Sequence, residues 1–453
     1  MQLFIIFVSA FLIRSINLNQ SLWLDETIVA KVVKTIPFQL IPFQFSQGDF
    51  HPPLYYLLIS LWTHIFGNSE IALRMPSVIF SLIAGWFVYK IGCQLFNKKQ
   101  AVWATLFFLF NPLCVYYSQE ARMYMMATAL LTIALYYFLR VLKEDQKTHT
   151  QAKNILFFNI FSSLAVFTFY GSLFFIGALI LWRVLLQKRK IDLSIVWGPL
   201  LSVIFLSPLV FQQLHNAKVS LVAVKNWSLV LGKVEIKNGA MIFLKFATGR
   251  ISWLPKWSYY LLAGIPTAIT WLIAAFGMKK SKFLSFLFVV PLLMGLLVSF
   301  FAPMLMYFRF LYLLPILSLL IARGIPLDGK RVWSAYFFIG VSLIFSCIYL
   351  LNPQFHREDW RRLAQQLNTN TPVYMILPSS DPLLYYRNDV SVFELRNIQN
   401  STIPEHIDVI PYTAEIYGLQ YENLLHQLGC VRELEIYFRG DVRLEKWNCL
   451  KNA

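Results

Sequence analysis

Two adjacent acids, Asp25 and Glu26, follow Ser21-Leu22-Trp23-Leu24 just after a long apolar run. A carboxylate half-withdrawn from water has a raised pKa and can take a proton from an acceptor hydroxyl or amine. The plainer alternative is that Asp25 caps the helix that follows, with Glu26 in its first turn. Glu120 and Arg122 share the stretch Tyr116-Tyr117-Ser118-Gln119-Glu120-Ala121-Arg122-Met123-Tyr124, where they either enter a site or reach for water. Arg309, in Met306-Tyr307-Phe308-Arg309-Phe310, has the planar fork that grips a phosphate with paired hydrogen bonds, or it anchors a helix at the headgroups. Arg14 and Arg74 occupy comparable places. His51, in His51-Pro52-Pro53-Leu54-Tyr55-Tyr56, can donate to a phosphate or serve structure alone. Arginines together with an acid suit a lipid phosphate beside a carboxylate that activates an acceptor. The phosphate would be the leaving group, and the arginines would stabilise the charge growing on it.

The elements holding these groups belong to a membrane. Of 453 residues, 57% are hydrophobic and only 14% charged, with mean hydropathy +0.56. A soluble domain has roughly a quarter of its residues charged, so a soluble enzyme, a disordered chain and a coiled coil are excluded. The balance of 40 Lys+Arg against 23 Asp+Glu gives +17, but the basic residues cluster between apolar runs. That pattern orients a polytopic protein; nucleic-acid binding needs them on a solvated face. Apolar runs fall near 3–19, 71–95, 101–117, 123–141, 154–169, 171–187, 191–211, 257–278, 283–302, 310–325 and 333–351. That is about eleven spans of a bilayer roughly 30 Å thick. The run 54–66 is too short for a comfortable crossing and suits the interface. Basic connections at 97–99, 140–153, 187–190, 279–282 and 323–331 share one side if the run 71–95 passes from outside to inside. The N-terminus is then cytoplasmic and the tail outside; only the long loop 212–256 breaks the pattern, and long loops obey it weakly. Residues 1–20 lack a basic leader and an Ala-x-Ala site, so they read as a retained helix. On this topology the ionisable groups above gather at the outer face, where their cost marks function.

From about residue 352 the composition becomes that of a water-soluble unit. Residues 372–377 and 390–395 read as strands and 421–428 as a short helix. The expected fold is therefore an all-α polytopic membrane domain, 1–351, followed by a small exterior α/β domain, 352–453. Cys93, Cys114 and Cys347 lie in spans. Cys430 and Cys449 lie in the exterior unit, as a disulfide or as two free thiols. No zinc-type spacing or internal repeat is seen.

The motifs also carry a resemblance. Arg14, Leu22-Trp23-Leu24-Asp25-Glu26, His51-Pro52-Pro53-Leu54-Tyr55-Tyr56, Phe66-Gly67-Asn68-Ser69-Glu70 with Leu73-Arg74-Met75-Pro76-Ser77, and Ser118-Gln119-Glu120-Ala121-Arg122 occur in one order. This resembles the GT-C glycosyltransferases, in the branch of protein O-mannosyltransferases and aminoarabinose transferases. The likeness covers the first 150 residues most closely and is looser to 325. In the tail it rests on Arg357-Glu358-Asp359-Trp360. It implies a multi-pass enzyme of the bacterial plasma membrane that moves a sugar from a polyprenyl phosphate to a lipid, glycan or protein acceptor, with inversion. By that likeness Asp25 is the base, and Glu26 positions the acceptor or a metal. Arg14, Arg74, Arg122 and Arg309, with His51, would hold the donor phosphate, and Glu120 would stand at a second outer-loop site. No metal is demanded; a divalent cation such as Mg or Mn is the one cofactor it allows. The rivals are a flippase for a lipid-linked saccharide, which usually shows interrupted helices in matching halves, and a non-catalytic lipid-binding subunit.

Overall fold

The computed structural model describes residues 1–143, 149–188, 193–327, 329–400 and 403–449. Parts of the basic connections at 140–153, 187–190 and 323–331 lie outside the described residues. The chain opens with helices α1 (Gln2–Ser15), α2 (Leu24–Thr35), α3 (Leu54–Phe66), α4 (Glu70–Leu95), α5 (Lys98–Leu109), α6 (Pro112–Ser118) and α7 (Tyr124–Lys143). Among the described residues seven helices are long and apolar enough to cross a bilayer, or eight if the bent pair α5–α6 is one span. The expected count of eleven is thus not reproduced by length and composition. The expected span 3–19 is a 14-residue helix, and 171–187 is Ser172–Leu186, also short.

Helix α7 and the segment Tyr307–Gly324 form the centre, each with 78% of its apolar stretch buried. Outer helices turn apolar side chains outward: Phe205, Leu261, Leu297 and Phe337 are all more than half exposed. Such a surface is stable only against hydrocarbon. Small residues allow close crossings inside. A Cβ on Gly277 would lie 1.9 Å from the Leu320 carbonyl oxygen, so helices Lys256–Lys280 and Leu314–Gly324 can touch backbone to backbone.

The expected span 101–117 is broken. Helices α5 and α6 meet at a 58° bend. Pro112 brings no amide hydrogen, and the Asn111 side chain caps the new helix by accepting from the Leu113 and Cys114 amides at 2.9 and 3.1 Å. Asn111 also donates to the Phe246 carbonyl at 2.8 Å, which fixes the corner from outside. The break delivers Ser118 to Arg122 to the same end of the bundle as α2.

After helix Trp333–Leu351 the chain builds a five-stranded sheet from β1 (Val373–Met375), β2 (Val392–Glu394), β3 (His406–Ile410), β4 (Val431–Phe438) and β5 (Val442–Asn448). The order is β2-β1-β3-β5-β4, parallel on the β2-β1-β3 side and antiparallel through β5 and β4. The expected strands shorten to β1 and β2, and the expected helix is Tyr421–Gln427. Cys430 and Cys449 are joined by a disulfide at the edge of the β4–β5 hairpin. The sheet unit sits against α2 and its flanks: the Leu22 amide donates to the Tyr386 hydroxyl at 2.9 Å, and the Tyr385 hydroxyl donates to the Asn68 carbonyl at 2.7 Å.

Candidate functional site

Successive residues of a helix point about 100° apart, and this separates the two adjacent acids of α2. The helix begins at Leu24 with Trp23 as its N-cap residue, so both acids lie in the first turn and Asp25 does not cap it. Glu26 turns inward and is fully buried. Its oxygens accept from Arg74 Nε at 2.8 Å and Nη2 at 2.6 Å, and from the Ala121 amide at 2.8 Å. Arg357 Nε stands 3.6 Å away. Burial pushes the carboxyl up, but the Arg74 and Arg357 guanidiniums outweigh it and hold Glu26 below the usual carboxylate range. Glu26 is a knot tying α2, α4, the Ser118–Arg122 loop and the tail. It has no room to position an acceptor or a metal. Asp25 points the other way: its carboxylate is 35% exposed, and its ion-pair partner is Arg122 Nη2 at a loose 3.5 Å.

The arginines divide by how many of their five N–H donors are already used. Arg74 has none left. Beyond Glu26 it donates to the carbonyls of Leu18, Gln20 and Ser21 at 2.9, 2.6 and 3.1 Å. Arg14, also fully buried, donates to Ser81, the Ala10 and Leu109 carbonyls and the Cys114 sulfur. Neither can hold a donor phosphate here; both fasten helices. Arg122 is different. Its Nε is buried without a partner, and its terminal nitrogens make only long contacts to Asp25, at 3.4 Å to the carbonyl and 3.5 Å to the carboxylate. Arg309 donates to the Pro303 carbonyl at 3.2 Å and otherwise lies over the Phe308 ring.

Glu120 is 1% exposed and is held by Arg357 Nη2 at 3.2 Å. Burial raises its carboxyl above the usual range despite the Arg357 and Arg250 charges. Its backbone carbonyl accepts from Ser77 at 2.6 Å. The residue closes the loop against the tail and cannot reach an acceptor. His51 Nδ1 lies 3.2 Å from Asp49 Oδ1. Burial is the main force on Asp49, yet His51, Arg122 and the Tyr56 hydroxyl at 2.7 Å bring its pKa down to about 2, so it is a fixed anion. Burial pushes the His51 ring below its ordinary value although Asp49 pulls the other way. A neutral ring that donates through Nδ1 to Asp49 has an acceptor at Nε2. The Asp49 contact occupies Nδ1 and leaves Nε2 as the other polar atom of the His51 ring.

Four important residues were not singled out from sequence spacing. Asp49 was legible, as an acid two residues before the His-Pro-Pro turn. Arg250 lies in the long loop whose basic residues broke the orientation pattern. It donates to the Tyr116 hydroxyl at 3.0 Å and lies over the Trp23 and Tyr116 rings. It is exposed although aromatic rings flank it. Arg357 and Glu358 come from the tail. Arg357 bridges Glu120, Glu26 and the Tyr349 hydroxyl, and Glu358 is discussed below. Asp25, Arg122, Arg309 and Arg250 thus gather in one polar region: the Asp25 carboxylate acts electrostatically on both Arg122 and Arg309, and Arg250 lies over the Trp23 ring two residues before Asp25.

Among the described residues no group of three or more His, Cys, Asp or Glu side chains is gathered to hold a metal ion. Asp49, Glu26 and Glu120 are each engaged by protein partners. A cleft of about 630 Å³ lies at the other end of α2, lined by Lys31, His64 and Asp381. Its Lys31 is already paired with Asp381 at 2.7 Å, and Asp25, Arg122, Arg309 and Arg250 do not line it.

A multi-pass helical bundle carrying a small sheet unit, with charged groups where the two meet, is the architecture of a polytopic membrane protein. Comparison with known proteins agrees. Residues 50–211 match the family described as dolichyl-phosphate-mannose-protein mannosyltransferase. The structure is similar to that of ArnT from Cupriavidus metallidurans in the apo state: TM-score 0.59, 11% identity, 99% of this chain and 98% of that one. The same protein bound to undecaprenyl phosphate gives TM-score 0.59 and 11% identity, covering 100% and 98%. The oligosaccharyltransferase AglB from Archaeoglobus fulgidus, in complex with an inhibitory peptide and a dolichol-phosphate, gives TM-score 0.53 and 14% identity over 86% of this chain and 64% of that one. No curated protein matches the sequence. The resemblance read from the motifs is therefore shared by the family match and by the fold.

Proposed function

We propose that this protein is a glycosyltransferase of the bacterial plasma membrane, with its N-terminus in the cytoplasm and its sheet unit outside. It moves one sugar from a polyprenyl phosphate to a lipid, glycan or protein acceptor at the outer face. The observation that carries this reading is the contrast within one polar region: Asp25 keeps an open carboxylate, while Arg122, Arg309 and Arg250 keep unspent donors beside it. The match to a mannosyltransferase family and the ArnT-like fold support it.

In the proposed step Asp25 takes the proton of the acceptor hydroxyl. The freed oxygen attacks the anomeric carbon from the face opposite the phosphate, and a new C–O bond forms with inversion. The bond from that carbon to the phosphate oxygen breaks, and its electron pair leaves with the polyprenyl phosphate. Two or three guanidiniums around that oxygen stabilise the growing charge more than they stabilise the bound donor, which is what lowers a barrier. The test is transfer by the purified full-length chain from a panel of polyprenyl-phosphate sugars to crude envelope lipids and glycans, with products read by mass spectrometry. A mass gain of one sugar, reduced about 10²–10⁴-fold in Asp25→Asn, is expected. A well-folded Asp25→Asn protein that transfers at the wild-type rate overturns the assignment of the base.

A further inference from the structure

The tail contributes a second acid to the polar region. Glu358 lies between the last long helix and the sheet, partly exposed. Trp360 Nε1 donates to its Oε2 at 2.7 Å, and the Tyr412 hydroxyl lies 2.9 and 3.1 Å from its two oxygens. A carboxylate can accept about four hydrogen bonds, so roughly half its capacity is unused. Arg357, next to Glu358 in the chain, lies 4.6 Å over the Tyr116 ring; Arg250 bonds the Tyr116 hydroxyl and lies 5.6 Å over Trp23, two residues before Asp25, so one chain of contacts joins the two acids, and Asp25 and Arg250 act electrostatically on both Glu358 and Tyr412. Its neighbours Asp359 and Arg439 pair with each other at 3.5 Å and leave Glu358 alone.

The backbone is shaped to hold it there. Gly440, in the β4–β5 turn, has φ +82° and lies against Glu358, where a Cβ would come within 2.7 Å of the Glu358 Cα. Only glycine combines that left-handed backbone with that approach. The Trp23 indole N–H is buried without a partner, and the Arg250 guanidinium lies 5.6 Å over the Trp23 ring. Two carboxyl groups, a spare indole donor and aromatic faces are what a polyol requires: each hydroxyl needs both an acceptor and a donor.

We propose that Glu358 is an acceptor-binding residue, that it holds a second hydroxyl of the acceptor while Asp25 deprotonates the first, and that the acceptor is therefore a saccharide rather than a single-hydroxyl peptide side chain. This rests on the glycosyltransferase reading. Burial lifts the Glu358 carboxyl to about 7 against the pull of Trp360, Tyr412 and Arg250, so its hydrogen-bonding sense changes near neutral pH.

The experiment has two arms, both on the full chain in nanodiscs. In the first, transfer is compared between glycan acceptors and Ser/Thr peptides for wild type, Glu358→Gln and Asp25→Asn, while undecaprenyl phosphate binding is followed by native mass spectrometry. The expected result is preference for glycans and a tenfold or greater loss of kcat/KM in Glu358→Gln, mostly in acceptor KM, with a flattened pH profile near 7. Undecaprenyl phosphate binding should stay within twofold. Equal use of peptides, or a Glu358→Gln profile matching wild type, overturns the proposal. If wild type transfers nothing, the glycosyltransferase reading has failed, and the second arm decides whether Glu358 is open at all. Labelling with dicyclohexylcarbodiimide, which reacts with protonated carboxyls, should mark Glu358 at pH 6 and at least fivefold less at pH 9. In Tyr412→Phe the midpoint should rise, because a donor to the ionised form is gone. A Glu358 that stays unlabelled at every pH is sealed and structural, and the proposal falls.

Discussion

Replacing Glu26 by alanine removes the acceptor for two Arg74 donors and for the Ala121 amide in one step, at a position with no solvent exposure. The Arg74 charge then stays buried among the carbonyls of Leu18, Gln20 and Ser21, which satisfy donors but carry no counter-charge. Removing one partner of a buried ion pair costs about 3–5 kcal/mol. An unfolding entropy of about 2 cal/mol/K per residue means that each kcal/mol moves the melting point of a 453-residue chain by about 1 °C, so a fall of about 3–5 °C is expected. The assay is thermal unfolding of the detergent-purified protein, followed by size-exclusion profile, with Asp25→Asn alongside. Asp25 makes one loose contact at 3.5 Å, so that variant should melt within about 1 °C of wild type, as surface changes usually do. Neighbouring acids thus fail in opposite ways: one by unfolding, the other by losing transfer. A Glu26→Ala protein that melts like wild type yet transfers nothing would show that Glu26 acts on substrate and that the structural knot is misread.

Three other outcomes follow from the same geometry. Arg122→Ala and Arg309→Ala should each weaken undecaprenyl phosphate binding about tenfold, the effect of losing one charge-assisted contact of ~1.5 kcal/mol, with little change in melting point. Arg14→Ala should do the reverse, lowering the melting point through its lost bonds to Ser81 and Leu109, and unchanged stability there would refute the sorting by spent donors. In the sheet unit, Asp408 is buried with Oδ2 unpaired, and burial raises its pKa from 3.8 to about 6. The folded state then holds a proton that the unfolded chain releases, so stability should fall as pH rises from about 4 to 6 and stay level above; Asp408→Asn should flatten that slope in thermal melts between pH 4 and 8.

The membrane architecture was legible because hydropathy and basic clusters are properties of composition, which a bilayer reads directly. The break at Asn111-Pro112 was passed over, although that dipeptide is a turn signal, because an apolar stretch of span length surrounds it. Strand β3 and the β4–β5 hairpin were not read: β4 carries three charged residues, Arg432, Glu433 and Glu435, in its first five positions and lacks clean alternation. In the site, Asp25 could be named from its neighbourhood, but the division of labour among arginines could not. Arg14 and Arg74 are as basic and as close to helix ends as Arg309. What separates them is which carbonyls the fold places around each guanidinium, a non-local fact: Arg14 meets Leu109, and Arg74 meets Glu26 across 48 positions.

That division also bears on the flippase rival, which intramembrane arginines alone do not disfavour. A carrier for a lipid-linked saccharide must release its phosphate to the other face, so its cations have to find new partners as the site opens there. Here two buried arginines are locked: Arg74 has spent every donor and Arg14 nearly all. Glu26 and Glu120 add further buried clamps between the bundle and the tail through Arg357. Breaking such pairs to rock one half against the other would expose uncompensated buried charge on each cycle, at several kcal/mol per pair. On the glycosyltransferase reading, such locked surroundings suit holding a transition state in place rather than carrying a lipid across. Preorganised charge of that kind lowers a barrier because it does not move.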